Sequence, residues 1–216
     1  MFHTDAVQAV GSVPIDVASL GVDMLSLSGH KIYGPKGVGA LYVKRGTRLT
    51  PLIHGGGHER RLRSGTENVP GIVGLGAAMA LAEAGMAEVR PRLEALRDHL
   101  ARGVLASVPD VRYLGHPTEL LPGSVVFTVR YIEGESMVLQ LDTHGFMVSS
   151  GSACSSSSLE PSHVILALGL GAEEAHGSLR LSLGRENTQA EADAFLEVFP
   201  PIVEKLRQMS PLYVKG

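Results

Sequence analysis

Residues 22–43, VDMLSLSGHKIYGPKGVGALYV, set two apolar runs on either side of a loop made of glycine, proline, serine and two lysines. Val22 to Leu27 and Gly39 to Val43 are predicted to be short buried strands, because apolar runs of this length bounded by turn residues suit the strands of an α/β layer. The first strand delivers Ser28-Gly29-His30-Lys31. A lysine at a strand end among small residues is expected to be partly desolvated and available for bond formation with a carbonyl, with Ser28 and His30 beside it as donors for a phosphate. GxxxxGK[ST] is absent around Lys36, so the loop is not a nucleotide-binding P-loop.

Outward from this stretch, HTDAVQAVG at 3–11 places Asp5 and Gln8 upstream of the lysine. Helical signal begins near Pro70, and EVRPRLEALRDHLARGV at 88–104 is amphipathic despite Pro91. The domain division is set near residue 85, giving residues 1–85 and 86–216. In the second part a strand over Ser124–Val129 precedes a helix that Gly145 can end in a left-handed conformation. Pro161 starts a short helix closed by Gly169, and a strand over Ser178–Leu183 leads to Thr188-Gln-Ala-Glu191, a capping box. Strands and helices in this mixed order imply an α+β second domain. Asp5 has almost no room for the strand that should deliver it, and three short strands with one helix cannot cover both faces of a parallel sheet. The first domain therefore reads as incomplete.

The chain has 216 residues, 44% hydrophobic and 19% charged, with net charge −3. That is enough apolar material for a core, and there is no basic run to attract nucleic acid or an anionic membrane. The longest apolar stretch, Pro70 to Ala82, is short for a bilayer span and is expected to be a packed Gly/Ala-rich helix. MFHTDAV lacks the pattern of a secretory signal. A single cysteine fits a reducing, cytoplasmic setting. His54, His58 and His30 suggest a metal, but Gly55 to Gly57 disfavour a helix there and no third ligand is suitably spaced, so no metal site is expected.

Cys154 lies in SSGSACSSSSLEPS at 149–162, whose serines and glycine make apolar burial a poor expectation. An exposed loop suits a nucleophile that must enter a cleft and then present its cargo elsewhere. Taken in order, DAVQ, SGHKIYGPKG, GGGHERRLRSGTEN, SSGSACSSSSLEPS and SLRLSLGREN closely resemble the cysteine desulfurases of the NifS/IscS type, within the class V aminotransferase superfamily. The resemblance runs from about His3 to the C-terminus.

It implies a pyridoxal-phosphate-dependent transferase of fold type I: part of the large cofactor-binding domain, then a small α+β domain carrying the cysteine loop. It also implies roles for single residues. Lys31 carries pyridoxal 5'-phosphate, Asp5 meets the pyridine nitrogen, Gln8 the phenolic oxygen, and Ser28 and His30 the phosphate. Thr66 reaches the phosphate held by the other subunit of a homodimer, and Arg180 clamps the substrate carboxylate. L-cysteine is then the substrate, Cys154 accepts its sulfur, L-alanine leaves, and an iron–sulfur scaffold or tRNA-thiolation protein receives the sulfur. Whole members are roughly twice as long, so residues 1–216 alone are expected to bind the cofactor weakly or not at all. Two other readings keep some of these residues: a noncatalytic module presenting Cys154 to sulfur acceptors, and another class V enzyme such as a selenocysteine lyase or aminotransferase.

Overall fold

The computed structural model describes residues 1–150 and 160–213. Cys154 lies outside the described residues. The chain divides into two compact units, Met1–Arg90 and Pro91–Gly216.

In the first unit β1 (His3–Asp5) runs parallel to β2 (Met24–Ser28), with α1 (Val17–Leu20) in the connection. β3 (Gly39–Val43) returns antiparallel on the other edge of β2, giving the order β1-β2-β3. Strand alternation sorts the side chains. Leu25 faces a small core with Ala6 and Val22, and Leu27 packs against that cluster and against a second one of Ile32, Leu75 and Ala78. The opposite face carries His3 and Ser26, whose side chains are 2.6 Å apart, and by alternation Asp5 and Ser28.

Two helical signals in the sequence, near Pro70 and over residues 88–104, are one 39-residue helix, α2 (Val69–Ser107). Asn68 starts it by accepting the Gly71 N–H on its side-chain oxygen at 3.2 Å. Pro91 removes a single helical hydrogen bond, and the helix runs through it. Burial corrects one expectation. The Pro70–Ala82 stretch was to be packed, yet only Gly71, Leu75 and Ala78 within it are buried. It also continues past Ala82, so that by length and composition α2 meets the requirement for a membrane span, with 11% of the qualifying window buried.

In the second unit β4 (Val111–Tyr113), β5 (Ser124–Val129) and β6 (Ser178–Ser182) form an antiparallel sheet in the order β4-β5-β6. Between β5 and β6 come α3 (Gly134–Asp142), α4 (His163–Ala167) and α5 (Ala172–His176), and α6 (Gln189–Met209) follows the sheet. Val125, Phe127 and Val129 of β5 are fully buried. Leu96, Leu100, Val104 and Val108 recur every fourth residue as the buried stripe of α2 and its end, and Phe195, Phe199, Ile202 and Val203 form that of α6. Phe199 stacks on Phe195 at 5.0 Å between centroids, and Phe146 meets Phe195 edge-on. The Thr188–Glu191 capping box is formed at the start of α6. Gly145 and Gly169 adopt φ of +82° and +85° after α3 and α4, the left-handed geometry expected of them.

Candidate active site

β1 ends at Asp5 and β2 at Ser28, so two polar side chains of one sheet face stand at the carboxyl ends of parallel strands. This is the edge where open α/β sheets bind ligands. The chain then makes a 3-10 turn, Gly29–Ile32, that carries His30 and Lys31. Tyr33 ends the turn in a left-handed conformation at φ 63°, which sends the chain sharply back toward β3. The turn is pinned by Gly29 N–H to Val38 carbonyl and Gly34 N–H to Gly29 carbonyl, both 2.9 Å. Two glycines make this possible. A Cβ on Gly34 would lie 2.9 Å from the Gly29 carbonyl oxygen, and one on Gly39 would lie 2.5 Å from that of Leu27.

Within the turn, Ser28 Oγ and His30 Nδ1 share a hydrogen bond of 2.8 Å. That bond fixes the imidazole and hydroxyl side by side. Lys31 is exposed, not partly desolvated as its strand-end place predicts. The reason is local: its neighbour Ile32 turns into the core, leaving the lysine on the outer side of the turn. Asp5 is also exposed, and one carboxylate oxygen accepts the Val7 N–H at 2.9 Å. Gln8 follows in the turns after β1 and is exposed. Asp5, Ser28, His30 and Lys31 thus gather at one end of a single sheet.

Thr66 lies exposed in the glycine-rich segment before α2. In this segment Glu59, Arg60 and Arg61 all have positive φ, an unfavourable run for residues with a Cβ. His58 Nδ1 bonds the Glu67 carboxylate at 2.8 Å. Glu67 is held below the usual carboxylate range, first by its own backbone N–H and then by His58.

In the second unit Arg180 is the central residue of β6, half-buried opposite Val126. Ser149, five residues before Cys154, pairs with it through two backbone bonds, Arg180 N–H to Ser149 carbonyl at 2.7 Å and Ser149 N–H to Arg180 carbonyl at 3.1 Å. Its Nη2 donates to Ser149 Oγ at 3.5 Å, while its Nε is buried without a partner among the described residues. The planar fork of a guanidinium can take a carboxylate by two parallel hydrogen bonds. Arg92 braces the loop after β6 by donating to the Arg185 and Asn187 carbonyls.

Sequence reasoning passed over His3, Ser26, Ser149 and Arg92. The His3–Ser26 contact depends on the β1–β2 register, which puts His3 opposite Met24 and Asp5 opposite Ser26. No local motif encodes that register.

Comparison with known proteins identifies the family. The aminotransferase class-V family model matches residues 1–195. The chain is 58% identical to a protein of Methanosarcina thermophila named cysteine desulfurase IscS, over 99% of this chain and 53% of the relative. It is 54% identical to cysteine desulfurase IscS of Clostridium botulinum strain Hall, covering 98% and 54%. Among solved structures, a NifS-like protein from Rickettsia africae superposes with a TM-score of 0.85 at 36% identity, covering 94% of this chain and 53% of that one. The chain therefore spans about half the length of the curated relatives it matches, and its fold is that of the NifS-like, fold type I enzymes. On the family match and these identities, the chain belongs to the aminotransferase class-V family.

Proposed function

We propose that the chain carries the cofactor lysine and the sulfur-accepting cysteine of a pyridoxal-phosphate-dependent cysteine desulfurase, working as a homodimer in the reducing cytoplasm. The observation that carries this reading is the strand-end cluster of Asp5, Ser28, His30 and Lys31, with the serine and histidine already bonded to each other at 2.8 Å.

The donor set fits the cofactor. An exposed primary amine can take its aldehyde, a carboxylate its pyridine nitrogen, and a hydroxyl with an imidazole its phosphate. Lys31, Asp5, Ser28 and His30 would fill these roles, with Gln8 on the phenolic oxygen and Thr66 of a second copy on the phosphate. When bound, the cofactor supplies an electron sink for charge developing at the substrate's Cα.

The remaining work falls to the protein's own groups. Arg180 binds the L-cysteine carboxylate, for which its planar fork is suited. The Lys31 amine removes the Cα proton. The Cys154 thiolate attacks the substrate sulfur, the substrate C–S bond breaks with its electron pair left on the carbon fragment, and that fragment takes up one proton at Cβ, regains one at Cα from the Lys31 ammonium and departs as L-alanine. Cys154 then presents its added sulfur to an iron–sulfur scaffold or a tRNA-thiolation protein.

Borohydride trapping with peptide mapping, on the chain joined to the part of the Methanosarcina thermophila relative that it does not match, tests the lysine, and the same joined protein serves the turnover assay: a reduced cofactor adduct is expected on Lys31 and on no other residue. Sulfide release from L-cysteine under dithiothreitol tests the cysteine, and it is expected to vanish in Cys154→Ala and Lys31→Ala. Turnover preserved in Cys154→Ala would transfer the reading to another class V enzyme, such as a selenocysteine lyase or aminotransferase. Sulfur capture by Cys154 with neither adduct nor turnover would make the chain a noncatalytic sulfur-presenting module.

A further inference from the structure

One face of the first unit's sheet carries a pair of serine–histidine bonds. At the carboxyl edge Ser28 is bonded to His30 of its own turn. Two residues back along β2, on the same face, Ser26 reaches across to the neighbouring strand, with its Oγ 2.6 Å from His3 Nε2. The chemistry proposed above uses the first pair and gives the second no part.

The register gives the second pair a place. His3 and Asp5 share this face of β1, and Asp5 stands opposite Ser26. Ser26 therefore holds β1 on either side of the carboxylate. Its hydroxyl is bonded to His3, two residues before Asp5, and its backbone carbonyl accepts the N–H of Ala6, the residue after Asp5, at 3.0 Å. The start of the strand is fastened separately, by the Asp23 and Met24 N–H groups on the Phe2 carbonyl at 2.9 and 3.2 Å. Among the described residues β1 is a three-residue strand with one strand neighbour. Elements with so few partners open at little cost, so each bond across this pair is a large share of what orders the strand. His3 itself lies about 7 Å behind Asp5 along the strand, set back from the carboxyl edge at which such sheets take ligands. That depth suits a group that holds Asp5 and does not itself touch what Asp5 binds.

We propose that the His3–Ser26 bond is a positioning device for Asp5, holding the end of β1 in register with β2 so that the carboxylate meets the pyridine nitrogen of pyridoxal phosphate. The inference rests on the cofactor reading above and adds two residues to it. His3 and Ser26 act through Asp5 and touch neither cofactor nor substrate.

The test uses the chain joined to the part of the Methanosarcina thermophila relative that it does not match. Dissociation constants are measured for pyridoxal phosphate and for its carba analogue, in which C–H replaces the ring nitrogen while the aldehyde and phosphate remain. A hydrogen bond of ordinary net strength predicts that Ser26→Ala and His3→Leu each weaken pyridoxal phosphate binding by about three- to tenfold. The carba analogue offers Asp5 no ring nitrogen, so both variants should bind it as the unsubstituted protein does. Neither substitution should add to the loss caused by Asp5→Ala. His3→Gln, whose amide both donates and accepts, should restore the affinity. Amide exchange at Ala6 is the second measurement, and it should quicken in Ser26→Ala and His3→Leu and return in His3→Gln. Unchanged affinity in both variants, with or without faster exchange, overturns the proposal. Equal loss for the two compounds does so as well, since it would make the pair merely structural. Failure of the cofactor reading looks different: no adduct would form on Lys31, or Asp5→Ala would bind pyridoxal phosphate as tightly as the unsubstituted protein, and the inference would fall with it.

Discussion

Replacing Arg207 by methionine should loosen the second unit by about 2–3 kcal/mol. Arg207 is 3% exposed near the end of α6 and ties three chain segments together. Its Nη2 donates to the Pro109 carbonyl at 2.8 Å and to that of Asp110 at 3.4 Å, and its Nε to that of Arg130 at 3.3 Å, with the guanidinium 5.6 Å from the Tyr213 ring. A hydrogen bond from a charged donor contributes about 1.5–3 kcal/mol. Only the Pro109 bond has the length to claim that range; the two longer ones contribute less. The Asp110 carbonyl keeps the Arg130 N–H at 3.1 Å, so its loss is partly covered. Methionine refills the space of the aliphatic stem, which limits the cavity cost, and removing a buried charge returns part of its desolvation penalty. Hydrogen exchange at β5 reads the result directly. Amides of Val125–Val129 should exchange roughly 30- to 150-fold faster in Arg207→Met, since each 1.4 kcal/mol is about tenfold. A change below threefold would refute the claim that this guanidinium fastens the 109–110 turn and residue 130 to α6.

Other outcomes follow from single contacts. Tyr113→Phe should leave the second unit as stable or up to about 1 kcal/mol more stable in a urea melt, because its buried hydroxyl has no partner among the described residues and burial already pushes the phenol's pKa up. Gly177→Ala should cost about 3 kcal/mol or prevent folding, as the new Cβ would lie 2.2 Å from the Val129 carbonyl oxygen and 3.0 Å from that of Ile132. Thr188→Ala should cost about 1 kcal/mol in the same melt by uncapping α6. Glu191 is held below its ordinary value first by the Thr188 backbone N–H and then by Asn187. The capping box therefore stabilises fully above the ordinary carboxyl value near 4.5 and is lost as pH falls through the lower folded value, which an NMR carboxyl titration checks by an acid-shifted midpoint.

The sequence was most legible where a local pattern also decided the outcome. Gly39–Val43 and Ser124–Val129 are strands with those bounds, and Thr188 and Glu191 make their capping box without help from distant residues. Legibility failed where pairing or register decides. β4 is three residues with Arg112 at its centre, too short for any periodicity, and exists because Val111 and Tyr113 pair with Val129 and Phe127 of β5. α2 reads as two signals because glycine and alanine between Val69 and Ala87 blur its apolar stripe. At the site, Lys31, Ser28 and His30 could be read from one turn, whereas the His3–Ser26 contact awaited the parallel register of β1 and β2.

That contrast bears on how the site is held. Ser28, His30 and the turn are fixed locally, by a 2.8 Å side-chain bond and by backbone bonds at Gly29 and Gly34, so this corner of the candidate site is formed within one turn. Asp5 is fixed differently. It rests on a three-residue strand with one neighbour, and its orientation depends on a single Val7 N–H. An element with so few partners belongs at the low-stability end of a fold, opening at little cost. The two corners of the candidate site therefore differ in how they are held: the lysine turn is formed by its own sequence, and the carboxylate corner rests on the pairing of β1 with β2. Any ligand that needs both corners must meet the ordering cost of the weaker one.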